Sequence, residues 1–135
     1  MKVVMIIDKE LPVGLIANTA AVLGASLGRM VDGLVGDDLR DADGNVHRGI
    51  TTRNIPILGG TKEQIRALRA RLYDEEFAAV ATVDFNNIAQ RSLDYGDYGS
   101  VLANAGGDEL AYLGICLYGP QKKVNSLTGN IGLLR

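Results

Sequence analysis

Residues 2–31 read KVVMIIDKELPVGLIANTAAVLGASLGRMV, and this stretch decides the fold. The run from Lys2 to Asp8 is continuously apolar and rich in valine and isoleucine, which is typical of a central strand covered on both faces. From Val13 to Val31 the chain predicts a helix with small residues along one side. Because polar groups are so few, we expect this helix to be buried on nearly every side, by the sheet and by a second subunit.

Turn and cap signals follow in the middle of the chain. The Asp43-Gly44 pair predicts a tight hairpin. A short apolar strand is predicted at 54–58, and Pro56 assigns it to a sheet edge because proline cannot donate to a strand ladder. A helix is predicted from Thr61, whose hydroxyl would form a capping box with Gln64.

The second half continues the alternation of strands and helices. Apolar strands are predicted at 77–85 and 111–118, with a helical segment at 86–92 and helical spacing from Tyr95 to Leu102. The tail after Gly119-Pro120 predicts a turn of helix, a glycine stop and a last strand. This pattern indicates an α/β fold with a mixed sheet. No repeat or linker divides the chain, so we expect residues 1–135 to form a single domain.

Composition excludes several classes of protein. The single cysteine, Cys116, cannot form an internal disulfide, and with His47 as the only histidine, Cys₄, Cys₂His₂ and His₃ zinc sites within one chain are excluded. The formal net charge of −2 argues against nucleic-acid binding, which usually requires a basic surface. No phosphate-binding or dinucleotide-binding glycine motif is present, so no cofactor is predicted.

The apolar segments near the start do not predict a membrane protein. The run from Val3 to Ile7 is too short for the core of a signal peptide. The uncharged stretch from Leu11 to Gly28 contains proline, glycines and polar residues, which makes it a poor transmembrane segment. With a lone thiol and no export signal, the cytoplasm is the expected compartment.

Two other sequence patterns resemble a metal site and a catalytic pair, but they predict a turn and a core residue instead. Asp41-Ala-Asp-Gly-Asn begins like a calcium-binding loop, but positions six and twelve carry Val46 and Thr52 instead of glycine and glutamate, so no metal site is predicted. Cys116 lies within an apolar strand, where a thiol is a small core residue with a high pKa. A catalytic dyad of Cys116 and His47 is therefore not expected.

The most informative polar residues are embedded in apolar segments. Asn18 and Thr19 interrupt the first helix, and Asp84 and Asn86 end the strand FAAVATVDF. Ligands of α/β proteins bind outside the carboxyl ends of strands, so we expect these side chains, with Asp8, to line a cleft. The alternative is that they cap helices and turns.

The chain resembles the bacterial "domain of unknown function 2000" family from end to end. The resemblance is carried by five segments: VVMIIDKELPVGLIANTAAVLGASLG, GITTRNIPILGG, VDFNNIAQRSLDYGDY, YLGICLYGP and KKVNSLTGNIGLLR. That family resembles the type II peptidyl-tRNA hydrolases, here through Leu-x-x-Gly at 11–14 and Val-x-x-x-Thr-Gly at 124–129. The resemblance implies a mixed sheet of about four strands with helices on both faces, commonly as a homodimer.

The chain departs from the hydrolases at the positions that resemble their active site. Where the hydrolases carry lysines, a glutamine and a histidine in the first helix, the matching positions here carry Leu15, Ala17, Ala21 and Gly24. Their Asp-Ala-Gly, with a threonine two residues later, corresponds to Asn104-Ala-Gly106 followed by Gly107 and Asp108. Loss of these groups removes both phosphate attraction and acid/base chemistry, so ordinary peptidyl-tRNA hydrolysis is not expected.

Three functions follow from these residues. The first is binding of a small polar ligand near Asn18, Thr19, Asp84, Asn86 and Asn104, with Arg53 either holding an anion or facing solvent on an edge strand. The second is hydrolysis of an ester-linked or RNA-linked substrate by Asn104 and Asp108. The third is RNA binding without catalysis, through the available cations Arg66, Arg69, Arg71, Lys122 and Lys123; the acidic pI puts it last.

Overall fold

A computed structural model describes all 135 residues, and its eleven helices and strands follow the predicted alternation. The strands are β1 Lys2–Asp8, β2 Leu39–Arg40, β3 Val46–His47, β4 Ile57–Gly60, β5 Ala81–Asn86 and β6 Tyr112–Gly119. The helices are α1 Val13–Met30, α2 Lys62–Arg71, α3 Asn87–Arg91, α4 Tyr95–Ala103 and α5 Gln121–Thr128. Short 3₁₀ turns lie at Glu75–Phe77 and Gly107–Glu109.

The main sheet contains four strands in the order β4-β1-β6-β5. Strand β1 pairs parallel with β4 and antiparallel with β6, and β5 pairs antiparallel with β6. The mixed sheet is therefore confirmed. Strands β1, β4 and β5 run in the same direction, so their carboxyl ends lie at the same end of the sheet. Asp8 and Asn86 are the last residues of β1 and β5 there, and the first residues of β6 lie between them.

Two hydrophobic clusters cover the two faces of the sheet, as the side-chain alternation of its strands requires. The α1 face includes Val3, Met5, Leu23, Leu27 and Leu113. The opposite face, covered by α2 and α5, includes Val4, Ile6, Ile65, Leu117 and Val124. A fully buried leucine or isoleucine stabilises the fold by about 1.5–3 kcal/mol, so both layers are needed for stability.

The local signals in the sequence match the structure. Thr61 caps α2 in a capping box, in which its hydroxyl accepts from the Gln64 backbone N–H and the Gln64 side chain accepts from the Thr61 N–H. Strand β4, which follows Pro56, is one of the two edge strands of the sheet. Strands β2 and β3 form the predicted hairpin, with Gly44 at φ +83° in its turn.

Within the chain, α1 is buried on one side only, against the sheet, and its burial by a second subunit stays a prediction. Only Thr19, Leu23 and Leu27, spaced four residues apart, are fully buried against the sheet. No element of the chain covers the opposite side, which exposes its small residues Gly14, Ala17, Ala21, Ala25 and Gly28. By length and composition alone, α1 would also be apolar enough to cross a membrane.

Three strand boundaries also differ from the predictions, and the first is the strand predicted at 54–58, which is observed as β4 at Ile57–Gly60 and so begins after Pro56. Phe77 to Val80 is not part of β5, because the Val80 N–H donates to the Phe77 carbonyl and closes a local turn. Strand β5 itself lies at the sheet edge. The predicted last strand is reduced to one bridge, between Leu133 and Leu58. The tail passes beside β4 with too few ladder bonds for a strand.

Candidate functional site

A hydrogen-bonded network of polar side chains lies at the carboxyl end of β5. Asp84 accepts from Arg69 on α2, with 2.9 Å between Arg69 Nε and Asp84 Oδ2. Asn86 is almost completely buried; its Nδ2 lies 3.4 Å from Asp84 Oδ1 and 3.5 Å from the Tyr98 hydroxyl of α4. Its Oδ1 accepts from the Ala89 N–H and so caps α3. Asn86, which caps α3, thus connects β5, the Arg69–Asp84 ion pair and α4.

The ion pair is shielded from water on most sides. The side chains of Arg69 and Asp84 are only 15% and 21% exposed. The Arg69 guanidinium also stacks on Tyr73, with 4.2 Å between its central carbon and the ring centroid. Burial raises the pKa of the Tyr112 phenol, and the nearby Asp84 carboxylate raises it further. Tyr112 therefore stays protonated at neutral pH and can donate a hydrogen bond.

A pocket of about 300 Å³ opens beside this network. We call it the tyrosine pocket; its lining residues are Val22, Ser26, Asp84, Phe85, Ala89, Ser92, Asp94, Tyr95 and Tyr98. It forms where α1, the edge strand β5 and helices α3 and α4 meet. Asp94 caps α4 by accepting from the Asp97 N–H at 2.7 Å, which sets the direction of the helix that carries both tyrosines.

The two tyrosines of this pocket are neighbours on one face of α4. Residues three apart on a helix lie side by side, and the rings of Tyr95 and Tyr98 meet edge to face with centroids 5.8 Å apart. Because the Tyr98 hydroxyl also contacts Asn86, the α4 wall of the pocket is connected to the network at the end of β5.

A second pocket, of about 330 Å³, lies near the other side of the ion pair. We call it the arginine pocket; it is lined by Arg66, Arg69, Ala70, Tyr73, Gly107, Asp108 and Tyr112. Arg66 donates to the backbone carbonyls of Asp108 and Leu110, at 2.7 and 3.3 Å. Its guanidinium is thus used to attach the 107–109 turn to α2.

The structure brings together part of the predicted site. Asp84 and Asn86 contact each other, and Asp84 lines the tyrosine pocket. Asp108 lies in the arginine pocket, beside Arg69, which binds Asp84. Asp8 ends β1 with one oxygen accepting from the Glu10 N–H, while its other oxygen is buried without a hydrogen bond. Asp8 lines neither of these two pockets.

The other predicted residues lie elsewhere. Asn18 is on the exposed side of α1. Thr19 is buried, with its hydroxyl donating to the Leu15 carbonyl. Arg53 donates to the Met1 carbonyl beside the start of β1, which is the end of the sheet opposite to Asp84 and Asn86. Asn104 donates to the Ser100 carbonyl and lines a separate pocket with Asn87 and Arg91.

Sequence reasoning did not identify Arg69, Asp94, Tyr95 or Tyr98 as members of one polar site. The available signal was the segment Asp-Tyr-Gly-Asp-Tyr at 94–98, which combines a helix-capping residue with two tyrosines at helical spacing shortly after a strand that ends in polar residues. The sequence places Arg69 only among the cations available for RNA binding, because it does not reveal that α2 brings this side chain to Asp84.

The lone thiol and the lone imidazole do not form a reactive pair. Cys116 is fully buried in β6, opposite Met5 of β1 and Val83 of β5. Burial raises the pKa of the Cys116 thiol to about 12. His47 lies in the exposed β2–β3 hairpin, where its Nε2 is 2.8 Å from Asp41 Oδ2. No Cys-His chemistry is available from this arrangement.

Comparison with known proteins gave two matches. The family model described as "Protein of unknown function (DUF2000)" matches residues 1–135. A solved structure of a protein of unknown function, Atu0240 from Agrobacterium tumefaciens strain C58, is 20% identical and covers 98% of this chain and 96% of its own, with a TM-score of 0.87. At that identity the likeness concerns the fold alone. Curated proteins gave no significant match.

Proposed function

The chain belongs to the DUF2000 family of proteins of unknown function, and we propose that it binds a small polar ligand in the tyrosine pocket. The observation that carries this proposal is the pocket's position against an ordered polar network. Asp84, Asn86 and Tyr98 are already oriented by one another and by Arg69 before any ligand enters. Preformed polar groups in a mostly apolar concavity are typical of small-molecule sites.

The size of the pocket limits the ligand. Its volume of about 300 Å³ is at the lower end of the usual range for ligand pockets. Phe85, Val22 and Ala89 supply apolar surface, while the carboxylates and hydroxyls supply hydrogen-bonding groups. A compact molecule with one apolar part and one polar head would suit this lining.

A blocking variant tests the proposal. A library of polar fragments is screened by thermal shift, and the fragments that stabilise the protein are retested against Ser26→Phe, which introduces a ring into the pocket from α1. The control is Val13→Phe, which adds the same ring at an exposed position of α1 that lies outside the pocket lining and outside the row of small residues. We expect Ser26→Phe to abolish stabilisation and Val13→Phe to preserve it. Fragments that stabilise both variants equally would contradict the assignment.

We also propose that the fold is related to the type II peptidyl-tRNA hydrolases and that their reaction has been lost. The four-stranded mixed sheet supports the first part, and the uncharged positions Leu15, Ala17 and Ala21 on α1 support the second. Asn104 and Asp108, the alternative catalytic pair, line different pockets. We expect purified protein to hydrolyse peptidyl-tRNA no faster than a heat-denatured control; faster turnover would restore the hydrolase alternative.

RNA binding is less well supported by the basic residues. Arg66 and Arg69 are engaged with backbone carbonyls and with Asp84. Arg71 and Lys123 lie over the Phe77 ring, at 5.4 and 5.7 Å from its centroid. Cations already used within the fold leave few groups for phosphates, so we expect no salt-dependent RNA affinity.

We propose that the protein is a soluble cytoplasmic homodimer that pairs through the outer side of α1. This side exposes a row of small residues with no charge, and small residues let two helices approach closely. Ala21→Glu places a charge in the middle of that row. We expect light scattering to report a dimer for the natural sequence and a monomer for the variant. A monomer in both cases would contradict the proposal.

A further inference from the structure

The lining of the tyrosine pocket has an unbalanced charge. It includes two carboxylates, Asp84 and Asp94, and no lysine, arginine or histidine. Arg69 is directed at Asp84 from α2, with its Nε on Oδ2. Arg91 donates to the Asn87 carbonyl and lines a different pocket. Arg69 balances the charge of Asp84, so the unpaired charge of the pocket lining is the carboxylate of Asp94.

Both carboxylates retain the capacity to accept further hydrogen bonds. Asp84 Oδ1 has only the long 3.4 Å contact with Asn86 Nδ2. Asp94 Oδ1 accepts from the Asp97 N–H, and its Oδ2 makes no hydrogen bond within the chain. An ionised carboxylate accepts hydrogen bonds and donates none. The group that complements these oxygens is a donor, and a charged donor complements them best.

The aromatic lining favours the same kind of ligand. Three aromatic residues, Phe85, Tyr95 and Tyr98, are among those that line the pocket of about 300 Å³. Ring faces attract cations placed within about 6 Å of the centroid. The same faces also provide apolar contact for a hydrocarbon body. Carboxylates and ring faces in one pocket thus select a molecule that combines positive charge with apolar surface.

We infer that the ligand of the tyrosine pocket is a small organic amine, bound as its ammonium ion with an apolar or aromatic body. The inference rests on the proposed function of this pocket and names the class of its ligand. The ammonium lies between Asp84 and Asp94, and the body packs against Phe85 and the two tyrosines. Anionic ligands are disfavoured because the unpaired carboxylate of Asp94 would repel them, while the Arg69 charge is already used by Asp84.

Three matched probes separate charge from shape. Phenethylamine, phenethyl alcohol and hydrocinnamate share a phenyl ring on a two-carbon chain and differ in being cationic, neutral and anionic at neutral pH. Binding is followed by amide chemical shifts in NMR titrations. We expect phenethylamine to bind at least about tenfold more tightly than the alcohol, from its hydrogen bonds to charged groups and its ring contacts, with shifts at residues 84–98. We expect no binding of hydrocinnamate.

A charge-removing variant with a matched control tests the role of Asp94. Asn caps helices as well as Asp does, so Asp94→Asn removes the charge and keeps the start of α4. We expect it to weaken phenethylamine binding about three- to tenfold, and to leave the alcohol unchanged. Asp97→Asn removes a charge from the same helix turn outside the pocket lining, and we expect it to change the affinity for phenethylamine less than twofold.

The outcomes distinguish this inference from the proposed function. Equal affinity for the amine and the alcohol, equal effects of Asp94→Asn and Asp97→Asn, or no phenethylamine shifts at residues 84–98 at millimolar concentration would each overturn the amine assignment. If neutral fragments still lose binding in Ser26→Phe, the pocket remains a ligand site of another class. If no fragment depends on Ser26, the proposed function fails as well.

Discussion

The ion pair between Arg69 and Asp84 should contribute measurably to stability, and a double-mutant cycle of Arg69→Ala and Asp84→Ala tests this. The atoms Arg69 Nε and Asp84 Oδ2 are 2.9 Å apart, and both side chains are mostly buried. Exposed pairs contribute about 0.2–1 kcal/mol, whereas breaking a fully buried pair costs about 3–5 kcal/mol. At 15% and 21% exposure we expect Asp84→Ala to cost about 2 kcal/mol.

Arg69→Ala should cost somewhat more than Asp84→Ala. It removes the same hydrogen bond and also the stacking on Tyr73, which adds about 0.5–1 kcal/mol. We expect a coupling energy between the two positions of about 1–2 kcal/mol. Because the chain has no tryptophan, urea unfolding is followed by far-ultraviolet circular dichroism.

The Arg48–Asp38 pair serves as the control for this cycle. Its atoms Arg48 Nη1 and Asp38 Oδ2 are 3.2 Å apart, but the side chains are 91% and 44% exposed. We expect its coupling energy to stay below about 0.5 kcal/mol. If the Arg69–Asp84 coupling is no larger than that of the control, the ordered network at the end of β5 does not exist in solution, and the argument for a preformed pocket is lost.

Three further predictions concern other parts of the fold. Gly114→Ala would place a Cβ 2.8 Å from Thr19 Cγ2, so we expect a loss of about 1–3 kcal/mol in urea unfolding; unchanged stability would show that α1 does not approach β6 so closely. Burial raises the pKa of Cys116 to about 12, so iodoacetamide should modify this thiol only on unfolding, and rapid reaction of the native protein would disprove its burial. The hydrogen bond from His47 lowers the pKa of Asp41 below its ordinary value of 3.8, so its stabilising effect should be present above pH 3.8 and lost as the pH falls through the lowered value. An NMR titration of His47→Ala should move the pKa of Asp41 upward, and no change would refute the pairing.

Part of the site was predictable from the sequence, and part was not. Asp84 and Asn86 were found because they are polar residues at the end of an apolar strand, and strand ends are where α/β folds bind ligands. Arg53 and Asn104 were grouped with them on sequence pattern alone. In the structure Arg53 lies at the opposite end of the sheet, and Asn104 lines a separate pocket. Sequence pattern identifies polar residues in apolar segments, but it does not measure the distances between segments.

The local elements of this protein are encoded in short segments of its sequence. Strand β1, the bounds of α1, the capping box of Thr61 and the Asp43-Gly44 hairpin depend on interactions between residues a few positions apart, which are readable from spacing. Contacts between distant segments, in contrast, leave one side of α1 uncovered within the chain and make β5 an edge strand. They also bring Arg69 of α2 to Asp84 and Tyr98 of α4 to Asn86. These contacts join segments far apart in the chain, and the order in which the strands pair, rather than any local preference, determines which segments meet.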